Sequence, residues 1–289
     1  MIVPGDLDPT VNTEWTIENR LDPSYLWYPA VGNHELPGQG SEAYTGANMD
    51  WLCSYDYGTV NPGPSGCPET TYSFDYANAH FTVLNEYCNT SGDTATDGNI
   101  PDHLYNWLVA DLAATSQPFV FVIGHEPAYP QPDEDTGRLR HVGDSLDQYP
   151  ANRDRFWDLL VAEQITAYIC GHTHNYSAVR IDENGVIGGD GVWQIDAAHA
   201  RGVGDTGAPS TFVRITVGSS QVTYQTYRTM NPSDYCQYTL TDEWSTDPTA
   251  ATVRSPSAKA ASGAPIGPLA VATSGALILL ASSLIRRRD

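Results

Sequence analysis

Basic residues are scarce: 14 Lys and Arg stand against 35 Asp and Glu, a formal charge of −21 on 289 residues. The summed field repels phosphate backbones and anionic membrane surfaces, which excludes broad electrostatic nucleic-acid binding. Cysteine is sparse too. There are five, none in a CxxC pair, too few for a disulfide framework and wrongly spaced for a structural zinc site. Cys53, Cys67 and Cys88 sit in turn-rich stretches, where a bridge such as Cys53 to Cys67 is expected in an oxidising compartment. Cys170 closes an apolar run and reads as a small buried hydrophobe. The opening residues, Met1-Ile-Val-Pro-Gly-Asp6, show neither the charged region nor the apolar run of a secretory signal. No internal repeat is visible. With 40% hydrophobic and 17% charged residues the chain is too apolar to stay disordered, and its length allows one large domain or two modest ones.

Residues 263–285 contain no charge, and Arg286, Arg287 and Arg288 follow at once, the order of a membrane span and its cytoplasmic stop. The dense part, 269–285, is 17 residues, about 25 Å as a helix and short of a bilayer core of roughly 30 Å. Residues 245–262, rich in Ser, Thr, Ala and Pro, read as a linker. The expected organisation is a globular domain over 1–244, a linker over 245–262 and a hydrophobic anchor or sorting tail over 263–289. Its charge order places the domain outside the cytoplasm.

Within the domain, residues 101–115 put Leu104, Trp107, Leu108 and Leu112 on one helical stripe behind Pro101. Phe119-Val-Phe-Val-Ile123 follows as a continuous apolar run, the pattern of a strand covered on both faces, and opens into Gly124-His125. The same grammar recurs: a helix over 152–162, then Ala167-Tyr-Ile-Cys170 running into Gly171-His-Thr-His174. Upstream, Trp27–Val31 runs into Gly32-Asn-His-Glu35, and Ile2-Val3 into Gly5-Asp6. Hairpin signals lie at 72–85, 177–195 and 212–227, while 36–70 and 129–150 read as long surface loops. The class is mixed α/β. In such sheets ligands bind outside the carboxyl ends of the strands, and here those ends deliver Asp6, Asn33, His34, His125, His172 and His174. A carboxylate, an amide oxygen and imidazoles suit Zn, Mn or Fe, and a Gly before each lets the backbone turn sharply.

On these motifs, GD at 5–6, GNHE at 32–35, GHEP at 124–127 and GHTH at 171–174, the chain resembles the calcineurin-like metallophosphoesterases, which include the purple acid phosphatases. The likeness spans roughly residues 1–230. It implies a four-layer αββα sandwich carrying two divalent or trivalent metal ions, Fe, Mn or Zn. By motif position, Asp6 bridges the metals, Asn33, His125 and His172 complete one, and His174 binds the other. His34 is the expected catalytic residue, a proton donor or oxyanion stabiliser with an ordinary imidazole value of about 6.5. Glu35 is expected to orient its loop. The resemblance implies hydrolysis of a small-molecule or nucleotide phosphoester by metal hydroxide, without a side-chain nucleophile.

The sequence departs from the family in one place. The opening strand with its Asp-x-His motif, which adds two ligands to the metal bound by His174, has no counterpart before Asp6. A late start or a gene fragment is expected to explain both this and the missing signal, leaving the sandwich without its first strand. Pro9 stands where purple acid phosphatases carry Tyr, so a charge-transfer iron site is not expected, and Asp8 reads as a solvated or supporting residue. Taken singly, a histidine at a strand end is more often structural than ligating; His172 and His174, two apart on one loop, favour a shared site. His141, His199 and Arg201 are candidates to reach substrate. Tyr25, Trp27, Tyr28, Trp107 and Trp157 read as core or core-edge. The rival reading is a non-catalytic cell-surface module derived from such an enzyme.

Overall fold

The computed structural model describes residues 1–7, 9–36, 47–89, 97–200, 209–229 and 237–246, and the backbone of 276–280. Its strands are β1 (Ile2–Val3), β2 (Tyr28–Pro29), β3 (Asn61–Pro62), β4 (Tyr72–Tyr76), β5 (Ala79–Val83), β6 (Phe119–Ile123), β7 (Ala167–Cys170), β8 (Tyr176–Ile181), β9 (Val192–Ala197), β10 (Ser210–Val217), β11 (Val222–Thr229), β12 (Thr239–Thr246) and β13 (Ala276–Leu280). The α-helices are α1 (Thr10–Arg20), α2 (Ala47–Ser54), α3 (Asp102–Ala114) and α4 (Pro150–Ala162).

The strands form two sheets, β12-β11-β10-β13-β1-β2 and β3-β4-β5-β6-β7-β9-β8. In the second, β5, β6, β7 and β9 run parallel while β4 and β8 flank them antiparallel. The apolar run of β6 explains the layering. Phe119, Phe121 and Ile123 join Ile2, Phe81, Ile169, Val213 and Tyr224 in a core between the sheets. Val120 and Val122 point the other way, to Leu104, Leu108 and Leu112 of α3 and Phe156, Trp157 and Leu160 of α4. On the far side Val3, Val31 and Leu7 pack with Ile17 of α1 and Met49 and Leu52 of α2. Helices, sheet, sheet, helices: the chain is the αββα sandwich its motifs imply. This layering sends the carboxyl ends of β1 and β2 in one sheet and of β6 and β7 in the other to a common edge.

Four expectations need correction. The disulfide joins Cys67 to Cys88, with Cα atoms 6.1 Å apart, and Cys53 takes no part in it. The long loop expected over 36–70 contains α2 and β3. Ala276–Leu280, read as part of a membrane-crossing helix, is a strand, parallel to β1 with Ile2 opposite Leu279 and antiparallel to β10 with Val213 opposite Leu279. No helix among the described residues is long and apolar enough to cross a membrane; the rest of the expected anchor, and 247–262 of the linker, lie outside them. β12 runs to Thr246, past the expected domain end at 244. Helix α1 was silent in the sequence because two of its buried positions are Thr10 and Thr13, which are satisfied locally: Thr13 Oγ1 donates to Leu7 O (2.7 Å) and Thr10 Oγ1 to Asn48 Oδ1 (3.0 Å).

Candidate metal centre

Each strand end turns sharply to present its side chain. Asp6, His172 and His174 hold φ of 56°, 68° and 60°, the left-handed region that non-glycine residues seldom occupy and that costs about 1–3 kcal/mol each. Three such residues on two loops mark a site where the fold over-determines the backbone. The glycines serve mainly for close approach. A Cβ on Gly32 would lie 2.4 Å from Asp6 N and 2.9 Å from His125 Cε1, and one on Gly5 would lie 2.4 Å from His125 Nδ1.

Asp6, Asn33 and His125 meet. His125 Nε2 is 3.3 Å from Asp6 Oδ1 and 3.2 Å from Asn33 Oδ1. Its other nitrogen, Nδ1, donates to the Pro4 carbonyl at 2.6 Å, which places the ring hydrogen there. Burial pushes His125 below the ordinary imidazole value, so the ring is neutral at pH 7 and Nε2 carries a lone pair. Three electron-pair donors then meet, with Asp6 Oδ1 also accepting the His34 backbone N–H at 3.2 Å. The O/O/N set fits a borderline divalent ion, and a cation among these atoms would offset their mutual repulsion. Burial raises the Asp6 carboxyl, but His125, His34, His172 and His174 around it outweigh burial and hold it at about 2. The carboxylate is ionised and ready to ligate.

His172 stands beside this trio, its ring centre 5.0 Å from that of His125. Burial, then the rings of His125 and His141, push it well below the ordinary value. Its Nε2 donates to Asp144 O at 3.2 Å, leaving Nδ1 as its lone-pair atom.

The loops are held by buried carboxylates that the sequence did not single out, apart from Glu35. Glu35 Oε2 accepts from Asp6 N (2.8 Å) and Gly32 N (2.7 Å), and Oε1 from Leu7 N (2.7 Å), tying two strand ends together. Burial and the charge of Asp6 push its carboxyl up while those N–H bonds oppose them. Glu86 does the same for the third loop, accepting from His125 N (3.0 Å), Glu126 N (2.7 Å) and Tyr168 OH (2.5 Å); burial lifts it to about 7. Under the fourth, Asp196 accepts from Thr173 Oγ1 and from Ala198 N, and burial raises it to about 8. The segment 138–144 lies across the GHTH loop: Arg138 Nη2 donates to His174 O (3.2 Å), and the His141 and His172 rings meet at a 41° tilt with centres 4.1 Å apart.

The second expected metal set does not fit. His174 Nδ1 contacts Arg140 Nη1 at 2.8 Å, and among the described residues no third His, Cys, Asp or Glu ligand atom gathers with those of Asp6 and His174. His34 is half-buried, with its backbone N–H on Asp6 Oδ1 at 3.2 Å. His199 is buried and its ring lies 5.3 Å from that of His174, behind the site; Arg201 lies outside the described residues. Trp157 and Trp27 are core and Trp107 is core-edge, partly buried against the helix-side cluster with Nε1 donating to Pro62 O. A cavity of about 310 Å³ opens beside Asn33 and His172, with Asp97, Glu126 and Asp144 in its walls.

A calcineurin-like phosphoesterase family model matches residues 1–176. The chain belongs to the calcineurin-like phosphoesterase family. Tartrate-resistant acid phosphatase type 5 of Mus musculus is 28% identical over 169 residues, covering 55% of this chain and 46% of the mouse protein; the Rattus norvegicus protein is 28% identical over 171. The chain thus spans about half the length of these curated relatives. Among solved structures, the purple acid phosphatase PPD1 from yellow lupin (Lupinus luteus) seeds superposes with a TM-score of 0.56 at 17% identity, covering 90% of this chain and 49% of that one. PhoD superposes at 0.51 and 13%, covering 77% of this chain and 53% of its own. These confirm the family fold. Metallophosphoesterases of this family use binuclear metal centres.

Proposed function

We propose that the chain hydrolyses small phosphoesters at the edge where Asp6, Asn33 and His125 meet beside His172. The observation that carries this reading is the meeting of three lone pairs, on Asp6 Oδ1, Asn33 Oδ1 and His125 Nε2, with the imidazole hydrogen turned away to Pro4. Those atoms would hold a divalent cation. When bound there, such an ion supplies Lewis acidity toward a phosphoryl oxygen and lowers the pKa of a water molecule.

The protein's own groups do the rest. Glu35 and Glu86 fix the loops so that the donors need no rearrangement, which is the preorganisation that electrostatic catalysis requires. His34, adjacent in sequence to Asn33 and half-exposed, is the proton donor we assign to the departing alkoxide. At about 310 Å³ the cavity is at the lower end of ligand pockets, which suits a short leaving group. The carboxylates Asp97 and Asp144 repel polyphosphate tails and accept hydroxyl or ammonium groups.

The test is turnover of p-nitrophenyl phosphate and of bis-p-nitrophenyl phosphate by the 289-residue chain loaded with Mn(II), Zn(II) or Fe. Hydrolysis of either, abolished by His125→Ala, supports the proposal. Absence of turnover with every metal, on a folded and metal-bound protein, favours the non-catalytic reading instead.

A further inference from the structure

Beside His174, the residue expected to bind the second metal ion, this chain places a guanidinium. Arg140 Nη1 lies 2.8 Å from His174 Nδ1. A guanidinium has donors only and keeps its charge at any physiological pH, so Nδ1 is the acceptor and the ring hydrogen lies on Nε2. A neutral imidazole has a single lone pair. Spent on Arg140, it is not available to a cation, and ligation through Nε2 would turn an N–H on Nδ1 against the N–H of Arg140.

The contact is built into the surrounding structure. Arg138, two residues before, donates to His174 O at 3.2 Å and through Nε to Asn175 Oδ1 at 2.9 Å. Three residues past Arg140's neighbour His141, Asp144 O receives the Nε2–H of His172 at 3.2 Å. One segment therefore contacts both histidines of the GHTH loop and brings Arg140 against His174; Arg140 itself is half-buried.

We propose that the centre takes one metal ion, at Asp6, Asn33 and His125 beside His172, and that the Arg140 guanidinium replaces the second cation, binding the phosphate oxygens on that side. The guanidinium's fixed positive charge supplies part of what a second ion would. The identity of the anion rests on the phosphoesterase reading; the count of metal ions does not.

Three measurements on the full chain decide it. Metal-free protein titrated with Mn(II), by calorimetry and elemental analysis, is expected to bind one ion per chain; two at saturation overturns the proposal. The zinc-loaded chain titrated with inorganic phosphate is expected to lose at least tenfold in affinity with Arg140→Ala and to recover part of it with Arg140→Lys; equal affinity in wild type and Arg140→Ala overturns it. Nitrogen-15 imidazole shifts of the unsubstituted protein are expected to show His174 Nδ1 without hydrogen; a protonated Nδ1 overturns it without any variant that must fold. Should these results hold while no phosphoester is turned over, the functional proposal fails and this one stands.

Discussion

Glu35 offers the sharpest perturbation of the scaffold because its work is countable. Its two oxygens accept three backbone N–H groups, from Asp6, Leu7 and Gly32, and the side chain is fully buried. Substitution by Ala orphans all three donors. An unsatisfied buried donor costs about 1–3 kcal/mol, so Glu35→Ala should destabilise by roughly 3–9 kcal/mol, less whatever water can enter. Glu35→Gln keeps the shape but has one oxygen. In its better orientation it abandons only Leu7 N, for a cost of about 1–3 kcal/mol. At about 2–4 °C per kcal/mol for a domain of this size, the Gln variant should melt roughly 4–8 °C lower for a 2 kcal/mol loss, and the Ala variant lower still. Because the same bonds set the Asp6 turn, Mn(II) affinity should fall about 10–100-fold in both. Thermal melts with and without Mn(II), and calorimetric titration, read the two effects separately. Melting temperatures within a degree of wild type in both variants would falsify the claim that this carboxylate organises the site.

His34→Gln should lower kcat about 10²-fold or more on an alkyl phosphate and far less on p-nitrophenyl phosphate, whose leaving group departs as a stable anion; equal losses on both would remove His34 as proton donor. His80 lies between Asp111 Oδ2 (3.0 Å) and Asp75 Oδ1 (2.7 Å); burial lowers its value, but these carboxylates outweigh burial and raise it. Its folded-state value then exceeds the unfolded value of about 6.5, so its contribution is full below about pH 6.5 and is lost as pH rises through the raised value. The stability difference between wild type and His80→Gln in urea should therefore shrink from pH 6 to pH 9; a constant difference would contradict this. Breaking the Cys67–Cys88 bridge, which spans 21 residues, by a Cys67→Ser/Cys88→Ser double substitution should cost about 3 kcal/mol in urea unfolding. No change relative to the oxidised protein would show that the bridge does not constrain the chain.

Much of the fold was legible because its inner strands are buried on both faces. Phe119–Ile123 and Ala167–Cys170 stand out as unbroken apolar runs, and their observed bounds coincide with those runs. Helices α3 and α4 were readable from Leu and Trp stripes. What stayed hidden has physical causes. Helix α1 buries threonines whose hydroxyls are hydrogen-bonded, Thr13 on the Leu7 carbonyl and Thr10 on the Asn48 side chain, so no hydrophobic period marks it. An apolar run such as 276–280 suits a bilayer or a sheet interior equally, and only tertiary pairing distinguishes them. The site showed the same division. Residues at strand ends after glycine, Asp6, Asn33 and His125, came from pattern; Arg140, Glu86 and Asp196 act through long-range contacts that no local spacing announces.

The central claim is that Asp6, Asn33 and His125 surround a cation. A crystal of the full chain grown with Mn(II) and measured for anomalous scattering addresses it directly. The account predicts one strong peak about 2.0–2.3 Å from Asp6 Oδ1, Asn33 Oδ1 and His125 Nε2. A map with no peak there at saturating metal, and those three side chains turned apart, would contradict it.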